Sequence, residues 1–336
     1  MSDCQDLKDE LLGFRDDYAK LKAEVAKVVV GQDEIVEATL TALIAGGHVL
    51  LEGVPGLGKT LLVRTLADVL ESHFSRIQFT PDLMPADLIG TNVLLEAAGG
   101  DRQFEFQKGP IFTNVLLADE INRATPKTQS ALLEAMQEHA VTVAGKRYSL
   151  DGLFFVMATQ NPLEMEGTYP LPEAQLDRFL FKLLVKFPTT EQIETILDRT
   201  TETDQPVANS VLDSQRVVAM CRLARQVPIA DPIRRYGISL VMATHPEQAE
   251  ASELTKRYVR YGSSPRGAQS LILAAKIRAI LDGRLNVAQD DLQKVVHNVL
   301  RHRLILNFEG QAEGIQPDDV IDDILKHVTQ STSIAD

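Results

Sequence analysis

Residues Gly53-Val-Pro-Gly-Leu-Gly58-Lys59-Thr60 fit the pattern G-x-x-x-x-G-K-[ST] at every fixed position. They lie between an apolar run, His48-Val-Leu-Leu-Glu52, and a helix-like run from Leu61 to Leu70. No other feature limits the fold as tightly. Such a loop needs a buried strand to launch it and a helix to receive it. Its glycines turn backbone N–H groups toward phosphate oxygens, and the helix N-terminus adds a positive dipole end. The segment therefore reads as a nucleoside triphosphate site, with Gly53, Pro55, Gly56, Leu57, Gly58 and Leu61 shaping the loop. Lys59 is expected to reach the β- and γ-phosphates of ATP, and the Thr60 hydroxyl to bind Mg²⁺.

Further apolar runs at Arg76–Phe79, Asn114–Ala118, Leu153–Ala158 and Phe181–Phe187 alternate with helix-length segments, which predicts a mainly parallel five-stranded sheet covered by helices. Two segments break the alternation. Val93–Glu96 with Gln103–Gln107, and Val141–Val143 with Tyr148–Leu150, read as inserted β-hairpins, the second carrying the basic tip Gly145-Lys146-Arg147. After Pro188 no strand run is evident. Helical patterns near Thr190–Thr200, Leu212–Val227, Ile233–Thr244, Pro265–Leu281 and Ala288–Leu304 predict an all-α lid domain. The expected organisation is an N-terminal amphipathic helix over 1–28, an α/β nucleotide-binding domain over 29–188, a helical lid over 189–330 and an acidic tail over 331–336. Leu7, Leu11, Phe14, Tyr18, Leu21, Val25 and Val28 carry the helix pattern of the first segment, which suits either a coiled-coil arm or a helix packed on its own domain.

The chain of 336 residues is 44% hydrophobic and 24% charged, so it can bury a large core. Its 34 basic and 47 acidic residues give a net charge of −13, which disfavours a surface broadly attractive to nucleic acid. No run suits a membrane span or a secretory signal, so the expected address is cytoplasmic. The two cysteines and seven histidines show no disulfide or zinc spacing.

Asp119-Glu120 closes the run Asn114–Ala118, at the strand end where ligands of open α/β sheets gather. Asp119 is expected in the Mg²⁺ shell, and Glu120 is placed to polarise an attacking water. The next strand delivers Thr159-Gln-Asn161-Pro162 to the same edge, where Asn161 would orient that water; alone, an Asn before Pro reads as a turn.

Gly53–Thr60, Leu116-Leu-Ala-Asp-Glu-Ile-Asn-Arg123, Ala158-Thr-Gln-Asn-Pro162 and Leu171-Pro-Glu-Ala-Gln-Leu-Asp-Arg-Phe179 together resemble the MoxR family of AAA+ ATPases. Val30-Gly-Gln32 and Ser264-Pro-Arg266 extend the resemblance into the flanks. It implies that Asn161 matches the sensor-1 residue, Arg178 the arginine finger and Arg266 the sensor-2 arginine of the lid. Val30, Gly31 and Gln32 would lie near the adenine, and Arg123 is a second candidate for action across a subunit boundary. The resemblance further implies a homo-oligomeric ring, expected to be a hexamer. It also implies chaperone-like remodelling of client proteins, often ones with a von Willebrand factor A domain, or of metal-dependent oxidoreductases. From residue type alone, Arg178 suits an intramolecular pair with Asp177 equally well, and Arg266 suits a solvated surface site. Two other classes share the phosphate loop: a small-molecule kinase and a nucleic-acid-associated or transcriptional ATPase. The carboxylate pair set for water activation speaks against the first, and the acidic balance against the second.

Overall fold

The computed structural model describes residues 2–96, 102–162, 167–201 and 206–334. The tip of the first hairpin, 97–101, and the last two residues of the expected acidic tail lie outside the described residues. Two helices, α1 (Ser2–Val28) and α2 (Asp33–Ala45), precede β1 (Val49–Glu52), α3 (Lys59–Val69), β2 (Phe74–Gln78) and α4 (Pro85–Ile89). The first hairpin is β3 (Gly90–Glu96) and β4 (Arg102–Lys108), followed by β5 (Val115–Asp119) and α5 (Pro126–Glu138). The second is β6 (Ala140–Val143) and β7 (Lys146–Ser149), and β8 (Phe155–Gln160), α6 (Glu173–Leu176) and β9 (Phe181–Leu184) complete this part.

The main sheet has the order β2-β5-β8-β1-β9, and every neighbouring pair is parallel. The three inner strands, β5, β8 and β1, read as apolar runs because both faces are covered, whereas the edge strand β2 carries Ser75, Arg76 and Gln78. Val49 and Leu51, Val115 and Leu117, and Phe155 and Met157 point into one core, with α1, α2 and α3. Leu50, Leu116, Ala118, Val156 and Ala158 point into the other, beneath α5. The alternation is that of any strand, with successive side chains on opposite faces. The expected strand to Phe187 stops at Leu184. Val185 N–H still donates to the Glu52 carbonyl at 2.8 Å, but β9 is the edge strand and its partner β1 turns away there into the phosphate loop.

Beyond Pro188 lie α7 (Thr190–Thr201), α8 (Ser214–Gln226), α9 (Asp231–Met242), α10 (Glu253–Tyr258), β10 (Val259–Tyr261) and α11 (Pro265–Leu281). They are followed by α12 (Gln289–Leu300), β11 (Ile305–Leu306), α13 (Phe308–Ala312) and α14 (Pro317–Ile334). The region is helical as expected, with one addition: β10 and β11 form a short antiparallel ladder that no apolar run announced. The α12 pattern was expected to run to Leu304; the helix ends at Leu300, and Arg301-His302-Arg303 turn back toward β9.

The N-terminal helix packs on its own domain. Phe14 and Leu21 are fully buried, and Leu11, Tyr18 and Val25 nearly so, in the same core as β1 and α11. Asp17 accepts from Arg216 of α8 at 2.7 Å, which ties α1 to the C-terminal helical region as well. The two hairpins meet through aromatic rings: Phe106 of β4 stacks on Tyr148 of β7 at 4.1 Å between centroids, with Phe112 edge-on to both.

Candidate active site at a sheet edge

The C-terminal ends of the parallel strands collect the phosphate-loop residues. Gly56 and Gly58 adopt φ of 81° and 74°, the left-handed region that a Cβ would strain, and Gly58 leads directly into α3. Lys59 Nζ donates to the carbonyl of Gly53 at 2.7 Å, curling over its own loop. Burial holds its pKa below the usual lysine range, while the charges of Asp119 and Glu120 oppose that shift. Lys59 is thus coupled electrostatically to both acids, as the motif spacing requires.

Asp119 and Glu120 are held by neighbours that the strand order supplies. Asp119 Oδ1 accepts from Thr159 Oγ1 at 2.6 Å, and Oδ2 accepts from Arg76 at 2.7 Å. Thr159 Oγ1 in turn accepts the Glu120 N–H at 2.8 Å. Glu120 has φ of 56°, which a non-glycine residue rarely adopts and which clusters at functional sites. Its Oε2 accepts from Gln78 at 2.7 Å and from Arg123 at 3.0 Å, so Arg123 is engaged with the carboxylate of its own protomer. Asn161, buried, follows β8 at the same edge, where the Gly53 N–H donates to the Gln160 carbonyl. The donor set suits Mg²⁺: a threonine hydroxyl and a single carboxylate, hard oxygens that leave further positions to phosphate and water.

Val30, Gly31 and Gln32 line a cavity of about 150 Å³ with Gly58, Leu61 and Pro188, and Ile196 and Arg199 of α7 close it. Gln32 Nε2 donates to the Leu57 carbonyl at 2.6 Å and so anchors the phosphate loop; its buried Oε1 has no partner among the described residues. The cavity is largely apolar and adjoins Gly56 and Leu57, which fits a planar base joined to a phosphate chain.

Arg178 and Arg266 lie elsewhere. Both line a cavity of about 320 Å³ with Gly47, His48, Gln137 and Arg303, at the N-terminal end of β1. About 16 Å of extended chain separates His48 from Gly53. Arg266 is 3.9 Å from the Asp177 carboxylate and donates to Gln137 at 3.4 Å. It leaves α11 just beyond Ser264, whose hydroxyl accepts the Arg266 N–H, with Pro265 at the first helical position as expected. Arg178 makes no ion pair among the described residues, and its buried Nε is unpartnered. The structure therefore couples Lys59 to Asp119 and Glu120 at the C-terminal strand ends, where Thr60 in the first turn of α3 and Asn161 after β8 also lie, and sets Arg178 and Arg266 at the other end as a second pair.

Residues 48–181 match the family profile described as "ATPase family associated with various cellular activities (AAA)", and residues 251–324 match "AAA lid domain". Chaperone MoxR1 of Mycobacterium tuberculosis is 45% identical over 306 residues, covering 91% of this chain and 80% of that protein. The chain belongs to the MoxR family of AAA+ ATPases. Protein MoxR of Methylorubrum extorquens is 34% identical, with 92% of this chain and 94% of that protein covered. A crystal structure of a Cytophaga hutchinsonii protein, assigned as an ATPase, superposes with a TM-score of 0.89 at 40% identity, covering 97% of this chain and 98% of that one. This MoxR-family fold is thus α/β with a helical lid, and nucleotide binding comes with the family.

Sequence reasoning missed Arg76, Gln78 and Thr159, which hold the two carboxylates, and Ile196 and Arg199, which line the cavity beside Gln32 and Gly58. Thr159 sits two residues before Asn161 in a motif already singled out; position was its only signal. Arg76 and Gln78 become relevant only once β2 pairs with β5, placing Gln78 opposite Asp119.

Proposed function

We propose that this chain hydrolyses ATP to ADP and phosphate at sites shared between neighbouring copies in a ring, a hexamer on the family pattern. The observation that carries this reading is the separation of the two clusters: the loop, the acids and Asn161 occupy one end of the sheet, Arg178 and Arg266 the other. Within one chain the two groups stand at opposite ends of the sheet, about 16 Å of extended strand apart, which supports a site completed by a neighbour. In a head-to-tail contact, the arginine end of one copy faces the phosphate end of the next, and such heterologous contacts close into rings. Lys59 exchanges its bond to Gly53 for phosphate oxygens. Thr60 and Asp119 would hold Mg²⁺, which supplies charge neutralisation at the phosphates when bound. Glu120 accepts a proton from the attacking water, which Asn161 orients. Two guanidiniums from the neighbour then stabilise the charge that develops on the phosphoryl oxygens. Turnover is thereby tied to assembly. The work done with it is chaperone-like remodelling of client proteins in the cytoplasm, with von Willebrand factor A domains a candidate client class; the relative named Chaperone MoxR1 supports the chaperone part.

The test mixes two inactive variants. Lys59→Ala subunits keep a sound arginine end, and Arg178→Ala subunits keep a sound phosphate end. Combined, they are expected to regain ATPase activity that neither shows alone. Mixtures as inactive as their components, at concentrations where the chain assembles, would rule out the shared site.

A further inference from the structure

Arg301, His302 and Arg303 have no part in nucleotide chemistry as described so far, yet all three donate to the backbone that carries Arg178 into β9. Arg301 donates to the Lys182 carbonyl at 2.9 Å, and His302 Nε2 to the Phe179 carbonyl at 3.0 Å. Arg303, only 5% exposed, donates to the carbonyls of Phe179 at 2.8 Å, Leu180 at 3.2 Å and Asp177 at 3.3 Å. Its Nε donates to Asp177 Oδ1 at 2.8 Å, and Ser264 Oγ donates to Asp177 Oδ2 at 2.7 Å. The carboxylate beside Arg178 is therefore claimed on both oxygens by groups from the lid region.

We propose that Arg303 is a positioning residue for the arginine finger: it clasps the Asp177–Leu180 turn to the lid and keeps Asp177 from pairing with Arg178. The chemistry is one of competition. Asp177 and Arg178 are adjacent, and a carboxylate left free there is a competing partner for the guanidinium; a finger paired at home has no charge free for a phosphate next door. A buried guanidinium with several fixed acceptors holds the carboxylate more firmly than an exposed one, because its donors are desolvated and already oriented. The unpartnered Nε of Arg178 is the counterpart of that commitment. Because Arg303 follows α12, lid movement is delivered to the finger through this contact.

The inference rests on the shared-site reading, and the experiment separates the two. Arg303→Gln, and the milder Arg303→Lys in case the first does not fold, are made in the full chain. Each is assayed alone and mixed with Lys59→Ala, beside the Arg178→Ala control mixture. The expected result is ATP affinity within about twofold of the parent and hydrolysis lowered about 10- to 100-fold, the scale of a misplaced catalytic group. Activity is then recovered on mixing, since Lys59→Ala copies bring an undisturbed finger to the intact phosphate end of the Arg303 variant. Parental hydrolysis by both variants would overturn the proposal, as would failure of their mixtures to recover while the Arg178→Ala mixture does. Failure of the control mixture as well would instead overturn the shared-site reading.

Discussion

The two ends of the central sheet are built on different principles. At the C-terminal end, the candidate chemistry sits on a few residues from contiguous motifs, and the backbone itself takes part: left-handed glycines, a left-handed Glu120, a tight loop joining β1 to α3. At the N-terminal end, the candidate side chains come from the turn before β9 and the first turn of α11, joined by long-range contacts such as Arg303 to Asp177 and Arg266 to Gln137. On the proposed reading, the first end grips the nucleotide and the second keeps a guanidinium unpaired for the neighbouring copy. A site divided in this way would place binding under one end and turnover under the other.

The sharpest test of that division is the contrast between Arg178→Ala and Lys59→Ala. Arg178→Ala is expected to lower kcat about 10³-fold, the lower range for such arginines in other NTPases, with ATP affinity nearly unchanged. Lys59→Ala is expected to weaken ATP binding up to about 100-fold, the worth of a charge-assisted hydrogen bond. Fluorescent-nucleotide titration and steady-state phosphate release read the two separately. Equal loss of affinity in both variants would erase the distinction between the ends.

Acid should act through the arginine end. His48 is fully enclosed and its Nδ1 accepts the Val156 N–H at 3.1 Å; burial pushes its pKa down to about 4 from 6.5, and the Met136 carbonyl only partly offsets this. Burial also holds His302 well below the ordinary imidazole range, with the charge of Arg303 next in importance. A depressed histidine pKa in the folded state means that the unfolded chain takes up the proton first. Stability is accordingly full above about pH 6.5 and falls as pH drops toward 4, by about 3 kcal/mol for His48 alone. Urea midpoints at pH 7, 6 and 5 should fall steadily in the parent and less steeply in His48→Gln; equal slopes would count against this origin.

The smallest expected effect concerns Thr159. Replacing it with Val removes the hydroxyl that joins Asp119 to the Glu120 backbone while preserving shape, and hydrolysis is expected to drop about tenfold with ATP binding retained. A Thr159→Ser variant should recover most of that loss. Similar rates for Val and Ser would show that the bridge is dispensable.

The phosphate end was legible because its residues follow one another in the chain: Gly53–Thr60 and Asp119-Glu120 needed only the rule that ligands gather where parallel strands end, while Asn161, which alone reads as a turn before Pro162, was singled out by resemblance. The sheet and both hairpins were legible for a related reason, since periodicity and turns are local. Strand order is not. Nothing in Phe74–Gln78 tells that it pairs with Val115–Asp119, so the hold of Arg76 and Gln78 on the acids stayed hidden. Arg178 and Arg266 were picked out by resemblance, but their company at the far end depends on how α11 and the end of α12 pack against β9, a contact spanning 126 residues between Asp177 and Arg303. A buried arginine among carbonyls looks in sequence like any other.

The aromatic junction between the hairpins has its own outcome. With Phe106 stacked on Tyr148 and Phe112 wedged against both, neither insert can swing without dragging its companion. The inserts thus present one joined surface, and a displacement of either is passed through these rings toward the root of the other.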